Sequence, residues 1–153
     1  MMKLAEALIE RTDLQRRLAQ LNQRMQQNAQ YQEDDTPAEE PHELLAEYRR
    51  TAALLEKRVV EINRTNSSIT LPDGRNMVAA LACRDRLKDE HAMLVKLADA
   101  ATPEQSRYSR SEIKMLAAVD VKSIRKQADD AAKRCRELDM QIQQANWLHD
   151  LQG

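Results

Sequence analysis

Toward the C-terminal end of the chain, apolar positions recur at alternating spacings of three and four. Val121, Ile124, Ala128, Ala131, Cys135, Leu138, Ile142, Ala145 and His149 draw one seam down roughly eight helical turns. A stripe of that length on a single helix needs partner helices to cover it, and three other segments supply the same period. Leu4, Ala7, Leu14, Leu18, Leu21 and Met25 mark a first helix over about residues 3–30, with Leu8 and Ile9 widening the stripe. Arg11 falls on this seam where an apolar side chain is expected. Leu45, Tyr48, Ala52, Leu55, Val59 and Ile62 mark a second helix from Pro41 to about Asn66, whose stripe closes on polar residues, Asn63, Arg64 and Asn66. A third begins at Met77 behind Asn76 as N-cap and carries Ala80, Leu81, Cys83, Leu87, Leu94, Leu97 and Ala101 to Thr102-Pro103; Asp120 caps the fourth.

Between the helices lie residues 31–41, 68–75 and a longer excursion from Thr102 to Asp120. Residues 31–41 are acidic, and Thr36-Pro37-Ala38-Glu39 has the form of a capping box, which predicts one isolated helical turn. Pro72-Asp73-Gly74 is a turn signal, and residues 68–71 alternate like a strand, as do residues 113–119. The pattern predicts a mostly α fold, an elongated bundle of four long helices in a single domain over residues 1–153, with a small β-ribbon formed by 68–75 and 113–119 at one end.

Composition agrees. Of 153 residues 42% are hydrophobic, with two glycines, four prolines, one Trp and no Phe, which suits helices and leaves little for loops or sheets. The 24 basic and 25 acidic side chains give a formal net charge of -1. No global field draws the chain to nucleic acid or an anionic membrane, so any such binding must be local. The opening apolar run is broken by Glu6 and Glu10, and no stretch reaches the length of a membrane span; the expectation is a cytoplasmic protein. Cys83 and Cys135 sit within predicted helices and read as small buried hydrophobes rather than a disulfide.

Candidate chemistry is sparse. There is no Gly-rich phosphate loop, no Cys-x-x-Cys, no His-Glu-x-x-His and no nucleophile elbow. A dimetal carboxylate centre needs two Glu-x-x-His pairs on helices, and the one occurrence, Glu39 with His42, is interrupted by Pro41. The chain therefore reads as a non-enzyme without catalytic residues, metal or cofactor. The densest polar cluster is Arg107, Tyr108, Arg110 and Lys114, which could hold a phosphate, a carboxylate or a stacked base. Structural pairing of these groups with Asp13 or Glu112 is the competing reading. Because a charge on a buried seam is costly unless paired, Arg11, Asn63, Arg64, Asn66, Arg107, Tyr108, Arg110 and Lys114 are expected to share a polar network, with anion binding as an alternative use. Trp147 is expected to close the end of the core.

Several segments also carry a family likeness. Met2-Lys3-Leu4-Ala5-Glu6-Ala7-Leu8-Ile9, Ile62-Asn63-Arg64-Thr65-Asn66, Leu71-Pro72-Asp73-Gly74-Arg75, the run from Arg107 to Lys114, Val119-Asp120-Val121 and Ala145-Asn146-Trp147 together resemble the septicolysin-like family of small, largely uncharacterised bacterial helical proteins. The resemblance implies a helical protein and, through the family's name, a cytolysin; it implies no catalytic or binding residues. The residues themselves favour a self-associating helical protein, a homo-oligomer, over a binder of nucleic acid or a small anion through the loop from Arg107 to Lys114, and over a cytolysin.

Overall fold

The computed structural model describes residues 1–103 and 113–153. Among them the protein is mostly α, a helical bundle whose four long helices are α1 (Leu4–Gln27), α2 (Pro41–Ser68), α3 (Met77–Ala101) and α4 (Val121–Leu148). Each start follows from capping chemistry. The Lys3 N–H donates to Glu6 Oε2 at 2.7 Å in α1. Glu40 accepts from the His42 N–H at 3.1 Å, with Pro41 at the first position of α2, where its missing N–H costs nothing. Asn76 Oδ1 accepts from the Val78 N–H at 2.8 Å, and Asp120 Oδ1 from the Ser123 N–H at 3.2 Å, so both expected N-caps are in place.

The chain divides into two compact units, one of Met1–Ile69 with Gln143–Gly153 and one of Thr70–Ile142. In the first, α1 and α2 form an antiparallel hairpin whose core holds Leu4, Ala7, Leu21, Leu44 and Ile62. Its two ends of chain are tied together: the Leu4 N–H donates to the His149 carbonyl at 2.9 Å and the Leu151 N–H to the Met2 carbonyl at 2.8 Å. Lys3 pairs with Asp150 at 2.7 Å. Gln152 then reaches the end of α2, its N–H donating to Thr65 Oγ1 at 2.8 Å and its Nε2 to Ser68 Oγ at 2.9 Å.

In the second unit α3 packs against α4 with Met77, Ala80, Leu87, Ala98, Ala128, Ala131, Leu138 and Ile142 buried. Cross-helix contacts set an antiparallel register. Arg125 reaches Asp99 at 3.1 Å, His91 Nδ1 lies 3.0 Å from the Ala128 carbonyl, and Arg84 Nη1 donates to Asp139 Oδ1 at 2.9 Å. The fourth seam is thus largely the one read from sequence: Ala128, Ala131, Leu138, Ile142 and Ala145 are buried, Val121, Ile124 and Cys135 half-buried, and His149 exposed.

Three local expectations are corrected. No strand forms among the described residues, and the β-ribbon is replaced by a tight turn closed by a single antiparallel bridge between Thr70 and Asn76. There the Leu71 N–H donates to the Arg75 carbonyl at 2.8 Å, and Gly74 adopts φ +88°, a left-handed conformation that side chains disfavour. Asn76 is at once committed to capping α3, so the hairpin has no length in which to extend; Ile113, Met115 and Leu116 on the other stretch are exposed. The turn expected at Thr36 to Glu39 is not helical, because the Glu39 N–H is taken by Asn28 Oδ1 at 3.0 Å. Trp147 does not close the core: it lies two residues past Ala145, on the far side of α4 from the seam, and is 54% exposed.

Candidate functional site

The hairpin of the first unit carries a polar ladder. On α1, Glu10, Arg17 and Arg24 stand seven residues apart, so they share one edge of the helix. Each meets a partner across the gap: Glu10 Oε2 accepts from Arg58 Nε at 2.6 Å, Arg17 pairs with Glu47, and Arg24 Nε donates to Glu39 Oε2 at 2.9 Å while its Nη2 holds the other oxygen. The inner rung is the most enclosed. Arg58 also donates through Nη1 to Glu61 Oε2 at 2.8 Å, and Glu61 is only 7% exposed. Hydrogen bonds first to Glu10 and then to Glu61 raise the Arg58 guanidinium further above its already high value, so it is charged throughout the accessible pH range. Next to the outer rung, an open groove of about 610 Å³ is lined by Arg24, Glu39, Glu40, Glu43, Glu47 and Arg50, with Leu44, Ala38 and Ala46 as its apolar wall.

The second unit carries a smaller cavity of about 140 Å³ between α3, α4 and the turn before α3. Arg75, Cys83, Leu87, Arg134, Glu137, Leu138 and Gln141 line it. Two arginines lie against the Cys83 sulfur, Arg75 Nη1 at 3.2 Å and Arg86 Nη2 at 3.9 Å. Arg75 is held in place by the turn, where Asp73 accepts its N–H at 3.0 Å and its Nε at 2.9 Å. These bonds pull the Asp73 carboxyl below the usual carboxylate range and push Arg75 up. Arg86 is oriented by Glu90 at 2.5 Å. Gln141 Oε1 is buried, with no hydrogen-bond partner among the described residues. Among the described residues no group of three or more His, Cys, Asp or Glu is placed to hold a metal ion, and no helix is long and apolar enough to cross a membrane.

A model of a family of unknown function, DUF6847, matches residues 11–151. The chain belongs to that family. It is also similar to a functionally unknown conserved protein from Corynebacterium diphtheriae, whose crystal structure shares 46% sequence identity over 99% of each chain at a TM-score of 0.93. No curated protein matches. Membership of DUF6847 corrects the septicolysin-like resemblance, and the physical reason is in the segments that suggested it. Most are helix ends and turns, such as Leu71 to Arg75 and Val119 to Val121, whose residue types follow from turn geometry and capping and therefore recur in unrelated helical proteins.

The residues singled out in sequence are placed as follows in this DUF6847 chain. Arg11 is half-buried, and its side chain has no hydrogen bond or ion pair among the described residues; Asn63 and Arg64 are exposed, Asn66 half-buried and Lys114 exposed. No hydrogen bond or ion pair joins any two of these five among the described residues. Arg107, Tyr108 and Arg110 lie outside the described residues. Sequence reasoning missed Arg58, Glu61 and Glu10, although the heptad spacing of Glu10, Arg17 and Arg24 was a readable signal. It also missed the pairing of Cys83 with Arg75 and Arg86, which needs the turn at Gly74 to swing Arg75 back onto α3.

Proposed function

We propose that this DUF6847 protein is a non-enzymatic, self-associating helical protein whose hairpin of α1 and α2 provides the contact surface. One observation supports this reading. The seam of the hairpin is well covered at its ends, by Leu4, Ala7 and Leu21 on α1, yet Leu14 and Leu18 on α1 and Tyr48, Leu55 and Val59 on α2 stay half-buried. A stripe of large apolar side chains at heptad spacing gains free energy for each part still in contact with water that a second copy covers, about 25 cal/mol per Å² of apolar surface. With 24 basic and 25 acidic side chains, two copies meet without net repulsion.

Light scattering coupled to gel filtration tests it. The expected result is a dimer or larger species at micromolar concentration that Leu18→Lys shifts to monomer while leaving helical circular dichroism intact. A strict monomer for the wild-type chain across that range overturns the proposal. If the monomer instead binds RNA or another polyanion with steep salt dependence, the reading based on the Arg107 to Lys114 loop takes its place.

A further inference from the structure

Shortly before α4 the chain passes through Met115, Leu116, Ala117 and Ala118, all exposed and in neither helix nor strand. Met115 is 78% and Leu116 82% exposed. Two large apolar side chains this open, side by side in an irregular stretch, leave surface in water whose burial is favourable. The hairpin of the first unit has the converse feature, an apolar stripe with part of its cover missing. The pairs of Glu10 with Arg58 and Arg17 with Glu47 bracket its middle. In and beside that stretch Leu14 and Leu18 on α1 and Tyr48, Leu55 and Val59 on α2 are half-buried. Successive helical residues turn by about 100°, which places Tyr48, Leu55 and Val59 on a flank of α2 turned away from Glu47, Arg58 and Glu61. The ion-pair ladder therefore leaves the open side of the stripe unobstructed.

We propose that residues 114–119 of one copy lie in the half-open seam between α1 and α2 of a second copy. This rests on the self-association reading and names what covers the hairpin. The dimensions agree: residues 48–59 cover about 17 Å of helix, and residues 114–119 span about 17 Å when extended. In an extended chain neighbouring side chains point to opposite sides. Met115 and Leu116 then serve one wall each, Leu14 and Leu18 on α1 and Tyr48, Leu55 and Val59 on α2. Charge agrees as well, because Lys114 is exposed at one end of the segment and Glu56, beside Leu55, is exposed with no ion pair among the described residues. A second copy carries both features, so two chains that exchange segments each cover the other's seam.

The test uses the full chain. In light scattering coupled to gel filtration, the double variant Met115→Asp with Leu116→Asp should weaken self-association at least about tenfold, the loss expected when one large apolar side chain is no longer buried. Both positions are exposed and outside the helices, so helical circular dichroism should not change. Association of the wild-type chain that Leu18→Lys abolishes but the double variant leaves intact overturns this inference alone. A strict wild-type monomer overturns it together with the reading on which it rests. For the location, a photoreactive benzoylphenylalanine replaces Leu116, and light and heavy-isotope copies are mixed and left to exchange before irradiation. Cross-links joining light to heavy chains at the peptides that hold Leu14, Leu18 or residues 48–59 are the expected result. Cross-links confined to one chain, or between chains but outside those peptides, overturn the assignment.

Discussion

The two units solve the same problem, how to hold a long antiparallel helix pair in register with charged side chains, in different ways. In the first, Arg58 is enclosed by Glu10 and Glu61 at 2.6 and 2.8 Å, and no buried side-chain polar atom there lacks a partner among the described residues. In the second, Arg84 pairs with Asp139 at 2.9 Å and more distantly with Asp85 at 3.8 Å, yet its Nε is buried without a hydrogen bond, and so is Gln141 Oε1. Leaving a buried polar group unmatched costs about 1–3 kcal/mol. The first unit is therefore the one in which removing a partner does harm, and the second the one in which unused hydrogen-bonding capacity lies next to a cavity.

The sharpest way to break this contrast is Arg58→Met. Glu61 then keeps only the exposed Lys57, 3.9 Å away, and Glu10 loses its partner, so unfolding by urea should show a loss of about 3 kcal/mol, the low end for a broken buried pair because Glu10 keeps contact with water and Glu61 a distant cation. Combining it with Glu61→Leu should recover a large part of that loss, since the pair is replaced by apolar contact. A loss below about 0.5 kcal/mol for the single variant would mean that the ladder is no more than a surface feature. Next in size is Asn76→Ala, which removes the acceptor for the Val78 N–H at the start of α3 and should cost about 1 kcal/mol. Arg84→Met comes third: the lost ion pair with the half-exposed Asp139 is offset by relief of the unmatched Nε, and the net change should stay within about 1 kcal/mol. A loss as large as that of Arg58→Met would erase the difference between the units.

The helices were legible because their information is periodic and local. The caps Asn76 and Asp120 were each readable from one residue and the apolar run after it, and the fourth seam from spacing alone. What failed was long-range or hidden by competing local chemistry. Glu39 looked like the last residue of a capping box, but it serves Arg24, fifteen positions back in the chain; the loop between them is held by Asn28, whose Nδ2 donates to the Arg24 carbonyl at 2.9 Å. Residues 113–119 alternate as a strand would, but alternation has meaning only if an edge is available to pair with, and the turn at Gly74 offers none. Of the candidate site, the residue types were visible and the groupings were not: Cys83 and Arg75 are eight positions apart and come together only because the turn folds one onto the helix that carries the other.

Acid provides a weaker probe of the first unit. Bonding to Lys3 holds the Asp150 carboxyl below its ordinary range, and bonding to Arg24 does the same for Glu39. A carboxyl whose folded value is depressed adds stability that is fully present above its unfolded value, about 4, and is lost as pH falls through the folded value. Thermal unfolding should therefore show the first unit losing stability below about pH 4, with Lys3→Met removing part of that dependence. Asp150 is exposed and Glu39 half-buried, so the effect should shrink on adding salt.

The smallest effect is expected at the position that looked most anomalous in sequence. Arg11 lies on the seam of α1, the direction in which Leu4, Ala7 and Leu21 are buried, and a charge enclosed there without a partner would be expensive. The chain avoids that cost by leaving the middle of the seam open: Arg11 is only half-buried, and a long basic side chain so placed can keep its head in water and its stem against apolar surface. Arg11→Met keeps the stem's apolar contact and discards a charge that has no ion pair among the described residues, so stability should be unchanged or rise by up to about 1 kcal/mol. The same substitution enlarges the apolar stripe next to Leu14 and Leu18, so self-association should tighten. Denaturant unfolding at low protein concentration separates the two consequences. A loss approaching that of Arg58→Met would place Arg11 in a paired network after all, and weaker assembly would show that the hairpin seam is not the contact surface.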